Sequence, residues 1–538
     1  MQKYICIHGH FYQPPRESPW LEEIEVQDSA YPYHDWNERI CAECYEPNTT
    51  SRILDGNGRI VDIVNNYASM SFNFGPTLLS WLENHAPVTY CRILEADRES
   101  RQRFSGHGSA MAQVYNHVIM PLANRRDKVT QVRWGIRDFE HRFRRRPEGM
   151  WLAETAADTE TLGVLADHGI KFTVLAPSQA REIRKYRGRN WNDVSGGHID
   201  PTKPYLVRLP SRRKIAVFFY DGPISQGIAF EGLLAKGENL AGRLAGAFHD
   251  AREWPQLAHI ATDGESYGHH HHHGDMALAY ALHHIRETNI AEITNYGQYL
   301  ERHPPVDEAR IHENSSWSCV HGVERWRNDC GCNSGGYPGW NQRWRAPLRE
   351  ALDWLRDRLA LLFDDMGGRL FTNPWAARDG YIDVILNRSP ESIHHFLQRF
   401  GKRPRDKSET SRALVLLEMQ RQCLLMYTSC GWFFDELSGI ETVQVLHYAA
   451  RAIQLAEYVS ADKLEDDFCQ RLAAAKSNLP QHGDGRDIYR KWVKPAVVEL
   501  ENVGAHFAVS SLFEDYKQQN KVFAYSAEVD DFHRHQMG

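Results

Sequence analysis

Two short stretches bring acids to places where they can act on a substrate. Asp263 and Glu265 sit in Ala261-Thr-Asp-Gly-Glu-Ser-Tyr-Gly-His269, directly after an apolar run that reads as the end of a buried strand. Gly149-Met-Trp-Leu-Ala-Glu154 repeats the design, a short apolar run with an acid at its end. In barrel and doubly wound α/β folds catalytic side chains collect at that edge, because the strands hold them rigidly while the loops vary. Two carboxyl groups facing each other across a pocket are the machinery for splitting a glycosidic bond. One must be ionised to attack; the other must keep a proton near neutral pH, which an apolar setting and a charged neighbour both favour. Glu265 competes with Asp263 for the second role, since residues two apart on a strand share a face.

The elements that must position these acids alternate along the first 300 residues. Tyr4 to Ile7 is a short buried strand that delivers His8, His10, Tyr12 and Gln13 to a wall of the pocket, the two histidines on one face. Residues 17 to 50 lack a period and read as a long functional loop. Ile60 to Tyr67 and Leu78 to Asn84 read as helices flanking a strand end at Ser71 to Gly75. The small residues around Gly106 let His107, Gln113 and His117 project, and the Arg-dense helix from Val132 to Arg146 reads as a solvated outer face. A helix beginning near Asp158, a strand from Lys171 to Leu175 and a strong strand from Lys214 to Tyr220, ending on Asp221, complete an α/β pattern. Beyond it comes a Trp-, Gly- and Cys-rich segment, then helices: Leu348 to Asp365, Val384 to Phe400, Ser411 to Tyr427, Val443 to Tyr458, Leu464 to Lys476, Ile488 to Val503 and Ala505 to Tyr516. The expected division is a catalytic domain over 1–305, a connecting segment over 306–345 that completes the active site, and an α-helical domain over 346–538.

Composition narrows the class. A chain of 538 residues with net charge −7, 42% hydrophobic and 25% charged, is globular and carries no basic field for nucleic acid. No run approaches the ~18 apolar residues of a membrane span, the first residues become strand-like without a leader, and ten cysteines are too sparse for a disulfide scaffold. A cytoplasmic protein with reduced thiols is expected. The histidine run from His269 to His273 lies mid-chain on a loop, where adjacent rings point apart and no metal site is expected. Cys319, His321, Cys330 and Cys332 form the tightest soft-ligand cluster, for which a structural zinc is one reading; the spacing matches no common zinc module, so buried thiols in a Trp-rich loop are the preferred one, and Cys41 and Cys44 lack a redox context.

Taken together, the motifs resemble glycoside hydrolase family 57, in particular a bacterial branch carrying an uncharacterised helical C-terminal domain that includes Trp432-Phe-Phe-Asp435-Glu436. Gly149 to Glu154 is similar to the family's nucleophile region, Asp263 to Gly268 to its acid/base region, and Phe218 to Ser225 to a substrate-contacting strand. The resemblance implies an incomplete seven-stranded (β/α) barrel with a helical bundle beside it, α-glucan as substrate, Glu154 as nucleophile and Asp263 as general acid/base. Three motifs depart from the pattern: Phe11 and Tyr12 separate His10 from Gln13, Gln113 stands where a Glu is frequent, and the histidine run replaces an aromatic.

The substrate-binding side chains are taken to be His8, His10, Gln13, His107, Trp151 and Asp221, with Glu265, Tyr267 and His269 after the last strand. Trp317 and His321 in the connecting segment and Trp432 and Asp435 in the helical domain complete the set. Tyr12, Trp20, Trp151, Tyr267 and Trp317 offer rings for stacking on pyranose faces. The two acids suffice for the chemistry, so no metal and no cofactor are expected; the oligomeric state is left open. Alternatives are an α-glucan transferase or branching enzyme with the same residues, a metal-dependent deacetylase-like hydrolase using His8, His10, Asp263 and the histidine run, and a non-catalytic glucan-binding protein.

Overall fold

Seven runs of alternating side chains become parallel strands in the computed structural model, which describes residues 1–335, 337–402, 406–514, 516 and 519–531. They are β1 (Lys3–Phe11), β2 (Ser71–Phe74), β3 (Ala112–Gln113), β4 (Met150–Trp151), β5 (Phe172–Leu175), β6 (Lys214–Phe219) and β7 (Gln256–Asp263). β7 pairs with β1 from Lys3 opposite Gln256 to His10 opposite Asp263, and β1 pairs with β2 from His8 opposite Ser71 to Phe11 opposite Phe74. A bridge between Phe72 and Ala110 leads to β3, β3 pairs with β4, a bridge between Gly149 and Phe172 leads to β5, and β5 pairs with β6. Among the described residues no ladder joins β6 to β7. The Asp221 N–H to His259 carbonyl hydrogen bond, 2.8 Å, spans the gap. The result is the incomplete seven-stranded (β/α) barrel that the family resemblance implies.

Strand periodicity sorts the side chains into two layers. Tyr4, Cys6, Trp151, Phe172, Val174, Ala216, Phe218, Tyr220, Leu257 and Ala261 form an interior cluster. Their strand neighbours Ile5, Ile7, Met150, Leu152, Ile215, Val217, Phe219 and Ile260 belong to the larger core that packs against the helices. Those helices include α1 (Arg125–Phe143), α2 (Thr159–Asp167) and α3 (Gly274–Glu287). The Asp158 carboxylate accepts from the Thr161 N–H and so starts α2 where the sequence places it. The helical region follows, built on α4 (Arg345–Leu370), α5 (Lys407–Leu425) and α6 (Ile440–Val459). Leu348, Leu352, Leu355, Leu359 and Phe363 give α4 its buried stripe at helical spacing. Among the described residues, no helix is long and apolar enough to cross a membrane.

Several elements differ from the sequence reading. Ile60–Val64 is a strand paired antiparallel with Ser51–Leu54; its β-branched run suits a pleated strand, and a turn at Asp55 to Gly58 closes the hairpin. Residues 36–49 are short helices rather than loop. The helix expected over Val384 to Phe400 breaks into Ile382–Leu386 and Pro390–Phe400, since Pro390 lacks the N–H that would continue it. The final helix pair is redrawn: short helical turns run over 485–496, one helix spans Leu500–Ser510, and a hairpin of Gln519–Val522 and Tyr525–Glu528 follows; the polar end at 532–538 lies outside the described residues. The Arg-dense α1 and the residues after it keep Arg133, Arg137, Arg144 and Arg146 exposed, yet the charged face of α1 is also a docking surface. Its Asp127, Arg133 and Arg137 pair with Arg378, Asp379 and Asp383 and dock the helical region onto the barrel.

Candidate active site

The interior columns of β1 and β7 end side by side, with His10 opposite Asp263. On the other side of β1 stands Asn73 of β2, opposite His10. Its amide oxygen lies 3.0 Å from His8 Nε2, while its nitrogen reaches His10 Nδ1 at 2.9 Å and Gln113 Oε1 at 2.8 Å. With Nδ1 accepting, His10 carries its proton on Nε2 and offers it to His117 Nε2 at 3.1 Å; His117 Nδ1 in turn donates to Ser429 Oγ at 2.7 Å. These rings are neutral. Burial holds His8 and His117 each down to about 3, and burial with neighbouring His117 keeps His10 well below the usual imidazole range.

Glu154 follows β4 on a backbone that L-residues rarely adopt. Its φ is 56° and that of Thr155 is 51°, both left-handed, a conformation that costs free energy and persists where surroundings impose it. The connecting segment does the imposing. Trp317 N–H donates to the Glu154 carbonyl at 3.1 Å, and Trp317 Nε1 and Ser318 Oγ both donate to Glu154 Oε2, at 2.8 and 2.6 Å. Burial raises the Glu154 pKa, and the bonds from Ser318 and Trp317 and the charge of Arg325 oppose that rise.

Asp263 is the exposed end of an otherwise buried strand. Water reaches it, yet the protein around its carboxyl is dense enough that desolvation dominates, and with the negative charge of Glu154 it lifts the pKa to about 7. Glu265 is different. Its side chain is buried, and Oε1 accepts from Tyr45 Oη at 2.6 Å and from the Tyr12 N–H at 3.0 Å; burial and then the charge of Asp263 raise it to about 8. It ties the loop after β1 to the barrel. Tyr220 stands beside these groups: its ring is edge-on to Trp317 at 6.3 Å, and burial and then the charge of Asp263 raise its pKa.

Comparison with known proteins places this architecture. Residues 11–312, more than half of the chain, match the family model described as glycosyl hydrolase family 57, and residues 340–538 match a domain of unknown function, DUF3536. The chain belongs to glycosyl hydrolase family 57. Alpha-amylase 1 of Dictyoglomus thermophilum is 24% identical over 200 residues, which are 37% of this chain and 26% of that relative, so the match spans about a quarter of the relative's length. Two structures share the fold. An exo-type maltose-forming amylase from Pyrococcus sp. ST04 has a TM-score of 0.66 at 15% identity, covering 95% of each chain. A branching enzyme from Pyrococcus horikoshii has a TM-score of 0.54 at 14% identity, covering 93% of this chain and 97% of its own.

Within this family 57 barrel, the residues expected at the site fall into two groups. Glu154, Asp263, His10, Trp317 and, behind them, His8 and Trp151 converge. Trp151 stacks on His8 and His10 at 4.8 and 5.0 Å but is fully buried, as is His8, so both support the pocket from beneath. The rest are corrected. His107 lies ahead of β3, at the opposite end of the barrel, between Glu148 and Glu301. Gln13 is occupied by the Tyr12 carbonyl and Arg16. Asp221 has the outward parity of β6 and caps the next helix through the Ile224 N–H, leaving Tyr220 to face the pocket. Tyr267 is fully buried beside Thr262, and His269 is held by Glu43. Trp432 is core, packed on Arg349, and Asp435 binds the backbone and hydroxyl of Ser334. His321 faces Cys332, not the acids. Of the five candidate stacking rings, Trp20, Trp151 and Tyr267 are buried, whereas Tyr12 and Trp317 keep accessible surface. The deacetylase-like ligand set is not assembled, because Asn73 and His117 occupy the Nε2 atoms of His8 and His10.

Asn73, Tyr220, Ser318 and Ser429 were not singled out from the sequence. For Asn73 and Tyr220 a signal exists: Ser71 and Asn73 alternate with Phe72 and Phe74, and Tyr220 shares the parity of Phe218. Ser318 and Ser429 carry none, since each is one serine in a polar stretch whose partner lies far away in the chain.

Proposed function

We propose that this chain is a retaining glycoside hydrolase of α-glucans, with Glu154 as nucleophile and Asp263 as general acid/base. Family membership supports the class, and the names of the similar proteins, amylases and a branching enzyme, supply the substrate. The observation that carries the residue assignment is the pairing of two carboxyl groups at strand ends whose environments differ: Glu154 receives two side-chain donors, while Asp263 has its pKa raised by burial and by Glu154 itself.

The geometry then distributes the work. Both donors to Glu154 address Oε2, so Oε1 is the oxygen that attacks the anomeric carbon, and the left-handed backbone with the Trp317 N–H bond keeps the carboxylate in one orientation. Asp263, holding a proton near pH 7, protonates the departing glycosidic oxygen; once ionised, it takes a proton from the water that releases the glycosyl-enzyme. Trp317, half-buried beside Glu154, offers a ring face for a pyranose, whereas the Tyr12 ring is already stacked on His117 at 3.6 Å. Neutral His10, with both ring nitrogens committed to Asn73 and His117, lines the floor of the site without adding charge. The test is incubation with a panel of α-glucans, with products sized and their first-formed anomer read by NMR. Shortened chains with retained configuration are expected, and lengthened chains would signal transfer to a sugar acceptor. An inverted anomer, or no turnover of any α-glucan, would overturn the assignment.

A further inference from the structure

The segment after Ser318 folds around four soft donors that the two-acid chemistry does not use. Cys319 Sγ lies 3.9 Å from Cys330 Sγ and 3.7 Å from Cys332 Sγ, and Cys332 Sγ lies 3.6 Å from His321 Nδ1. All four donor atoms fall within 4.8 Å of one another, and among the described residues this is the group of His, Cys and acidic side chains that converges in this way. A tetrahedral ion with thiolate arms of ~2.3 Å has sulfur–sulfur edges of about 3.8 Å, and an imidazole arm of ~2.0 Å shortens the mixed edge to about 3.5 Å. The separations of 3.9, 3.7 and 3.6 Å match those edges, and the other three fall within 4.8 Å.

The backbone is shaped to make them converge. Gly322 N–H returns to the Cys319 carbonyl at 3.0 Å, turning His321 back toward Cys319. At its φ of 87° a side chain is disfavoured, and a Cβ would lie 2.3 Å from the Asn314 carbonyl oxygen. Gly331, with φ 81°, makes the bend between Cys330 and Cys332. Three thiolates and a neutral imidazole around a dication leave one negative charge. Two buried guanidinium groups sit beside it: Arg345 donates to the Cys332 carbonyl at 2.9 Å and Arg325 to the Ser318 carbonyl at 3.0 Å.

We propose that Cys319, His321, Cys330 and Cys332 bind one zinc-class divalent ion in a closed, four-ligand structural site. Its place in the chain states its purpose. Cys319 directly follows Trp317 and Ser318, the two side chains that hold Glu154 Oε2, and Ser334 just beyond Cys332 is anchored to Asp435 of the helical region. The ion clamps the loop that orients Glu154 to the helical region, while taking no part in the reaction. The one-residue spacing between Cys330 and Cys332 argues against a common zinc module in the sequence, but convergence in space replaces spacing.

The test uses the tag-free, full-length protein and needs no glucan. Elemental analysis should find one zinc per chain after gel filtration. Replacement by cobalt(II) should give tetrahedral d–d bands together with a thiolate-to-cobalt charge-transfer band, which a site on His269 to His273 would lack. Cys332→Ala should lose the bound metal and that band. In the wild type, removal by a chelator should lower the Tm and open the three thiols to alkylation, and zinc should reverse both. Substoichiometric metal with no thiolate band on adding cobalt, or a disulfide within the cluster of the freshly isolated protein, would overturn the proposal and leave the hydrolase assignment standing.

Discussion

The two ends of the barrel handle charge in opposite ways. At the N-terminal end His107 bridges Glu148 and Glu301, and Lys171 also binds Glu148. Burial opposes the charged forms there, yet the hydrogen bonds that His107 donates to Glu301 and Glu148 raise its pKa, and those from Lys171 and His107 lower that of Glu148. At the C-terminal end burial prevails. The imidazoles of His8, His10 and His117 are driven neutral, Asp263 and Glu265 are driven toward their protonated forms, and Glu154 sits on a strained backbone. Paired charges stabilise a fold, whereas groups left near their switching point are poised for proton transfer.

The largest effect expected from breaking this contrast is at Glu154. Glu154→Ala should lower turnover by ~10⁴ or more, because nothing else can form the glycosyl-enzyme, while its Tm stays within a few degrees of wild type. With an activated glycoside, azide should yield a product of inverted configuration; near-normal hydrolysis by this variant would remove Glu154 from the mechanism.

Next come the two acids after β7. Asp263→Ala should slow a natural glucan by ~10² to 10⁴ but slow glycosylation by an activated substrate much less, so the intermediate accumulates. Glu265→Ala removes the acceptor that anchors Tyr12 and Tyr45 and should cost similar factors on both substrates. The split appearing at Glu265 instead would exchange their roles.

A smaller effect concerns pH. The folded-state pKa of Asp263 is about 7 against an ordinary 3.8, so the native state binds the extra proton between those values and loses stability as pH rises through them. Asp263→Asn should therefore gain in Tm over wild type progressively across that window and level off above it. In the wild type, kcat/KM should fall above about pH 7 as the acid loses its proton. A Tm difference independent of pH would contradict the perturbed carboxyl.

The smallest effect on activity belongs to the other end of the barrel. His107→Ala should cost about 1 kcal/mol of stability, a typical value for partly exposed ion pairs, with kcat/KM within about twofold of wild type. A hundredfold loss of kcat/KM without unfolding would place His107 in the site after all.

How far the sequence could be read depends on how local each signal is. The ends of β4 and β7 were legible because an apolar run with an acid at its edge is a pattern of a few residues, and Asp158 marks the start of α2 in the same local way. Trp432 and Asp435 were misread because an aromatic beside an acid looks alike in a sugar site and in a core; only burial and the Ser334 bonds tell them apart. The same locality hid the partners within the candidate site: Ser429 meets His117 across 312 residues and Trp317 meets Glu154 across 163.

Alternation in the strands, the position of the acids at their ends and the helical stripe of α4 are properties of neighbouring residues, and the sequence by itself determined them. Which polar groups meet was decided by the tertiary structure. The register that sets His10 opposite Asp263, the loop that brings Trp317 and Ser318 to Glu154, and the turns that gather Cys319, His321, Cys330 and Cys332 all join distant segments. The perturbed carboxyl of Asp263 follows from the same convergence, because desolvation and the field of a neighbouring charge exist only once the chain has closed around them.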